Sequence, residues 1–299
     1  MKQFFVFAVF ALLAASCSNE NDVTVCNAED GLKVPVTVRV SDFAVSVDPF
    51  EDGGGALTRA AEDVADYANV GAVTLAFYDG STEVYKTTQL RSETSSFGTF
   101  DLWLPLGNYT MVVLGYGFFS GDVLSLTSPT SAVYTSDKVR ETFVATQAVN
   151  ITTTDPVDIS ATLNRIVSKV VVESTDNRTS GAAYIRTSFS AGGKGFNPST
   201  GLATSNTGFS NQVQGSGSAG NKVTATNFLF LATDAQTMDV TIEVLDASEN
   251  VLAQRVVKNV PMKRNRATKL KGSIFDVTSL AGAFQVETSW AEADNTVEF

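Results

Sequence analysis

Apolar and polar side chains alternate along most of the chain, and no long stretch keeps the period of an amphipathic helix. Lys33 to Val40 (KVPVTVRV) sets the pattern: Val34, Val36, Val38 and Val40 share one face, as in a half-buried strand. Pro35 cannot donate to a ladder, which predicts an edge strand there. A short apolar piece, Phe43 to Val47, follows. The pattern then breaks at DPFEDGGGALTRAAED, Asp48 to Asp63, where Gly53-Gly54-Gly55 is incompatible with a packed strand. Arg59 stands just after the glycines, in a context that a protease can reach. From Val70 the strands recur regularly. Val70 to Tyr78 and Glu83 to Leu90 flank Asp79-Gly80-Ser81, a hairpin signal. Phe97 to Leu104 alternates, Pro105 to Asn108 turns the chain, and Tyr109 to Tyr116 (YTMVVLGY) has a continuous apolar centre that predicts burial on both faces.

Val123 to Leu126, Ala132 to Tyr134 and Glu141 to Val144 read as short strands or a turn of helix. Val149 to Leu163 reads as one or two strands interrupted at Asp155-Pro156. Arg165 to Ser174 (RIVSKVVVES) and Ala183 to Phe189 are strong strands. Residues 190–222 are rich in Gly, Ser and Asn. That is long for a loop in a compact domain, and they read as either a functional loop or a disordered one, with Phe196 and Phe209 as the side chains able to tack it down. Val223 to Leu231 resumes the pattern. Asp239 to Leu245 and Val251 to Asn259 form a hairpin, Asn265 to Phe275 a further strand, and Phe284 to Trp290 a last one before Val297 and Phe299. The chain is therefore all-β, with about seven strands in each half, as a tandem pair of β-sandwiches requires. The expected division is 1–16, 17–31, 32–160 and 161–299.

The N-terminus departs from this pattern. Lys2 precedes an unbroken apolar run, Phe4 to Ala15, too short for a stable span and right for the core of a signal peptide. Leu13-Ala14-Ala15-Ser16-Cys17 resembles the lipobox of bacterial lipoproteins, in which the Cys is acylated and becomes the mature N-terminus. Residues 1–16 are thus expected to be a lipoprotein signal peptide and 17–31 a polar tether. Cys26 then lacks an intramolecular partner; it pairs between molecules or stays free.

Composition narrows the chemistry. The 299 residues contain no His, which removes Ser-His-Asp, Cys-His and HExxH sites together. A net charge of −11 argues against nucleic acid as a partner. The one basic cluster, Lys258 to Arg266 with Lys269 and Lys271, reads as a solvated hairpin edge that discourages aggregation. Asp48, Glu51 and Asp52 lack the spacing of a Ca²⁺ loop. Trp103, in mid-strand, is expected in the core. No catalytic residues, metal site or cofactor are expected, and the chain is expected not to be an enzyme.

The order of parts, with Thr58-Arg59-Ala60, VGAVTLAFYDG, LPLGNYTMVVLGYG, LNRIVSKVVVES, VKNVPMKRNRATKLKGSIF and the final FQVETSW, resembles the fimbrillin family, subunits of type V pili. The resemblance covers nearly the whole mature chain and rests chiefly on the L-x-R-x-V-x-K-V strand and the basic, Asn-containing turn. It implies two transthyretin-like, Ig-like seven-stranded sandwiches and a fimbrial role at the cell outer membrane. It also implies a precursor held by lipid on Cys17, cleavage between Arg59 and Ala60, and loss of the segment 33–59 that holds the first strand. A strand from another subunit then fills the vacated groove by β-augmentation. By position, the donor is the tail from Phe284, with Phe284, Val286, Trp290, Val297 and Phe299 as plug residues; the same tail reads equally as the last strand of its own domain. The implied partners are other pilus subunits, the outer membrane, and host or bacterial surface ligands. The alternative is an uncut, lipid-anchored protein, either a pilus anchor or a glycan- or host-ligand-binding protein.

Overall fold

The computed structural model describes residues 32–43, 63–119, 123–214, 219–276 and 285–288. Among these there is no helix. The first half holds β1 (Lys33–Phe43), β2 (Ala72–Asp79), β3 (Thr82–Leu90), β4 (Thr99–Pro105), β5 (Gly107–Tyr116), β6 (Leu124–Ser128), β7 (Ser131–Tyr134), β8 (Thr142–Ile151) and β9 (Val157–Arg165). The second half holds β10 (Ser168–Ser174), β11 (Tyr184–Phe189), β12 (Gly195–Asn197), β13 (Leu202–Ala203), β14 (Phe209–Gln214), β15 (Thr224–Leu229), β16 (Ala235–Leu245), β17 (Val251–Lys263), β18 (Ala267–Gly272) and β19 (Gln285–Thr288).

Seven strands form one sheet in the order β3-β2-β5-β8-β9-β1-β4. Its two parts meet where β8 and β9 share only the pairs Phe143↔Arg165 and Val144↔Asn164. Beyond that corner the sheet folds over itself. The inner residues of β2 and β5 (Leu75, Phe77, Met111, Val113) face those of β1, β4 and β9 (Val36, Val38, Leu102, Leu104, Leu163) in a single apolar core. In the second half, the sheets β15-β10-β18-β19 and β14-β11-β16-β17 enclose another core, built on Val170, Val172, Ile185, Val240, Ile242 and Leu270.

A third core joins the two halves. The outer face of β2 and β5 supplies Tyr78, Val112 and Leu114, which pack with Tyr134, Ile166, Phe196 and Phe230. A small sheet, β13-β12-β7-β6, covers it and takes two strands from each half. This explains the continuous apolar run of β5. Met111 and Val113 serve the first core, while Val112 and Leu114 serve the third, so no position faces water.

Two sequence expectations change here. Residues 190–222 are not a long loop, because β12, β13 and β14 lie within them. Phe196 is fully buried, with its ring centroid 4.5 Å from that of Phe230. The glycines allow close backbone approach. At Gly208 φ is +74°, and a Cβ would stand 2.0 Å from the Phe189 carbonyl oxygen. Trp103 is the other change. Phe100, Leu102 and Leu104 point into the core, so the pleat turns Trp103 outward and leaves it 62% exposed.

If the 190–222 segment is structural, Phe196→Ala should lower the stability of the full chain by about 3–5 kcal/mol in denaturant unfolding, the usual cost of emptying a buried aromatic site. A loss below about 1 kcal/mol would show that Phe196 merely rests on the surface.

Candidate functional site

The N-terminal strand is the unusual element of the first half. β1 lies inside its sheet, antiparallel to β4 from Lys33↔Pro105 to Arg39↔Thr99 and parallel to β9 from Val36↔Val157. The edge position expected from Pro35 is therefore corrected. Pro35 stands before the parallel ladder begins, so its missing N–H removes no bond on the β9 side. Val34, Val36, Val38 and Val40 are all buried in the first core. At about 1.5–3 kcal/mol per side chain, these four contribute roughly 6–12 kcal/mol of apolar burial, an upper figure for a compact unfolded chain. That is comparable with the whole net stability of a typical domain, about 5–15 kcal/mol. Without β1, the facing edges of β4 and β9 would lose their ladder partners and the core would lie open between them.

The residues expected to act on this strand fall largely beyond the described parts of the chain. Cys17, Arg59 and Ala60 lie outside the described residues, as do Cys26, Asp48, Glu51 and Asp52, and Phe284, Trp290, Val297 and Phe299 of the tail. Val286 lies on β19, where its backbone is paired opposite Leu270 of β18. β19 is four residues long and sits at the edge of its sheet.

The two stretches that carry most of the family resemblance meet at the junction of the halves. Arg165, from L-x-R-x-V-x-K-V, approaches Glu141 at 2.7 Å, with 6% and 9% of the two side chains exposed. The Nε–Oε1 approach is a charge contact, not a well-aligned hydrogen bond. Arg165 also donates from Nη2 to the Tyr67 hydroxyl at 3.0 Å and from Nη1 to Asn265 Oδ1 at 3.2 Å, and its guanidinium lies over the Phe143 ring. Tyr67 Oη donates in turn to Glu141 at 3.1 Å. Asn265 comes from the basic turn between β17 and β18, adopts φ +56°, and donates its backbone N–H to the Val167 carbonyl. One buried cation therefore ties β8, β9, the segment before β2 and the second half together. The sequence signal was the charged residue inside an otherwise strand-like motif; its partners were not legible.

The rest of the basic cluster is mostly paired. Lys258 bonds Asp239 at 2.6 Å, Arg264 bonds Asp234 at 2.7 Å, and Lys269 and Lys271 flank Glu173 at 3.9 and 3.6 Å. A second carboxylate went unnoticed in the sequence. Asp176 accepts from Ser273 Oγ at 2.7 Å and from the backbone N–H groups of Ile274, Phe275 and Asp276. Arg255 grips the same segment through the carbonyls of Ser273 and Asp276. The chain is thereby fixed just before the residues that lead to β19. Partial burial acts to raise the Asp176 pKa, but the four donated hydrogen bonds outweigh it and hold the carboxyl below its ordinary value.

Two measurements check these roles. Arg165→Met should cost about 3–5 kcal/mol by stranding Glu141, and adding Glu141→Met should recover most of that loss; equal losses in single and double variants would refute a buried pair. Asp176 has a folded pKa below its unfolded value near 3.9, so its stabilisation is complete above that value and is lost as pH falls through the folded one. The stability gap between the native chain and Asp176→Asn should be widest at neutral pH and close below about pH 4. A gap that stays constant down to pH 2 would contradict the assignment.

No curated protein matches the chain in sequence. Among solved structures, a candidate adhesin from Bacteroides ovatus aligns with a TM-score of 0.50 and 11% identity, covering 83% of this chain and 92% of that one. The two share a fold. The fimbrial anchor protein Mfa2 from Porphyromonas gingivalis aligns with a TM-score of 0.48 and 12% identity over 86% and 98% of the two chains. A candidate cell adhesion protein from Bacteroides eggerthii gives 0.47 and 11% over 88% and 98%. The model of a family of unknown function, DUF6562, matches residues 119–296, more than half of the sequence and every strand from β6 to β19, and the chain belongs to that family.

Proposed function

We propose that this protein is a non-enzymatic structural and adhesive subunit of a surface filament, of fimbrillin type. It is exported as a precursor anchored in the outer membrane by lipid on Cys17. Cleavage between Arg59 and Ala60 releases β1, and a strand from another subunit, the tail from Phe284, takes its place. In this reading the two enclosed cores are two tandem transthyretin-like sandwiches, divided near residue 160. The observation that carries the proposal is the position of β1. An N-terminal strand inside a sheet, with its apolar face in the core, leaves on removal a groove with two open edges and an apolar floor. Such a groove is filled by β-augmentation, in which ladder hydrogen bonds give affinity and alternate side chains give specificity. The Bacteroides ovatus protein of the same fold is itself described as a candidate adhesin, in keeping with a surface role.

The uncut reading has its own support. With β1 in place its four valines fill the first core, so an uncut chain needs no partner strand there.

Limited digestion with an arginine-specific protease separates the two. The filament reading predicts a product beginning at Ala60 and concentration-dependent polymers. Arg59→Gln should block both steps, while truncation from Phe284 should block polymers and leave cleavage intact. A chain that resists cutting at Arg59, or a cut product that stays monomeric, would rule out strand exchange and leave the anchored unit.

A further inference from the structure

The outer face of β9, β1 and β4 carries a feature that the cores do not use. Trp103 projects from it, 62% exposed, on a strand whose alternate residues are buried. The strand register fixes its neighbours. Pro35 lies opposite Trp103, and Thr37 lies opposite both Asp101 and Asp158. Thr37 Oγ1 donates to Asp101 Oδ1 at 2.7 Å, and Arg39 Nη1 pairs with Asp158 Oδ1 at 2.7 Å. An apolar row, Trp103 with Pro35, therefore adjoins a row of oriented donors and acceptors. Same-face rows on a strand are separated by about 6.6 Å, two residue rises.

Several occupants compete for such a face. A stable protein interface buries about 800 Å² on each partner around an apolar centre, and here the apolar row gives way to charged and hydroxyl groups one step along. An acidic polymer is disfavoured by the chain's net charge of −11. Asp101 and Asp158 leave the face with no excess of positive charge over negative, since Arg39 is already paired. What fits is a ligand with small apolar faces edged by hydroxyls. A sugar ring has this form: its C–H face packs on an aromatic plane and its hydroxyls both donate and accept.

We propose that Trp103, Pro35, Thr37, Asp101, Arg39 and Asp158 form a binding platform for an uncharged glycan. One pyranose lies on the indole, against Pro35. Its hydroxyls donate to Asp101, and the next sugar along the chain reaches the Arg39–Asp158 pair. The inference deepens the uncut, anchored reading of the proposed function, as a surface binder, and rests on that reading rather than on filaments. Because three of the six residues belong to β1, the platform is a property of the chain with β1 in place.

The sequence holds only two Trp, so Trp290→Phe leaves Trp103 as the sole indole reporter in the otherwise complete chain. Titration of that variant with neutral gluco-, galacto- and manno-oligosaccharides should shift or quench its emission saturably. On an array of neutral and acidic glycans, Trp103→Ala should weaken binding at least about tenfold, roughly 1.4 kcal/mol. Trp103→Phe should restore part of it, and Asp101→Ala should weaken it severalfold. The melting temperature of Trp103→Ala should stay within a degree or two of the native value, as expected for an exposed side chain. Binding to cells of host and bacterial origin is measured in parallel. Cell binding without any neutral-glycan binding, glycan binding unchanged in Trp103→Ala, or binding to acidic glycans alone would overturn the platform while leaving the adhesive reading intact. Absence of both cell and glycan binding would overturn the two together.

Discussion

Insertion of the first strand into the middle of its sheet is the constraint on which the first half depends. β1 closes the gap between β4 and β9 and fills the core with four valines. The ladders on its two sides differ: one is antiparallel and one parallel. A parallel neighbour cannot be reached by a tight turn, so β1 is necessarily far in sequence from β9. The contact that completes the core is thus made between distant parts of the chain, and the strand can be separated covalently without cutting through the rest of the sheet. The second half repeats the arrangement. β10 pairs parallel with β18 and antiparallel with β15, as β1 does with β9 and β4. There, however, β10 follows directly from β9, so the equivalent strand is held by the chain itself.

The junction makes the two halves one mechanical body. Ile166, Phe196 and Phe230 pack on the outer face of β2 and β5, and Arg165 reaches Asn265 across the boundary. A shared core resists relative motion of the two halves better than a flexible linker would. That packing uses the outer face of β2 and β5, whereas Trp103 on the outer face of β4 stays exposed.

Much of this was legible in the sequence where a local rule decided the outcome. Alternation located most strands, and the unbroken run in β5 announced burial on both faces. Trp103 illustrates a rule applied too weakly. The alternation Phe100, Leu102, Leu104 already assigned the inner face and left Asp101 and Trp103 on the other, but the size of the indole suggested the core. Pro35 pointed to an edge because the sequence does not show where a neighbouring ladder begins. The glycines of 190–222 suggested a functional or disordered loop, whereas at Gly208 the cause is a neighbouring carbonyl too close to admit a Cβ. The bonds from Asp176 to residues 273–276 span about a hundred positions and leave no local trace. The residues expected to govern processing and exchange, Cys17, Arg59 and most of the tail, lie outside the described parts, so their roles rest on the sequence and the resemblance.

The central claim is that β1 is a separable strand for which the rest of the protein keeps a specific groove. Isothermal titration of a synthetic Lys33–Phe43 peptide into a chain beginning at Ala60 tests this most directly. The account predicts saturable one-to-one binding that restores the melting transition of the intact protein, and no binding by a peptide with Val36 and Val38 replaced by Asp. A chain from Ala60 that is as stable as the intact protein and ignores the peptide would contradict it.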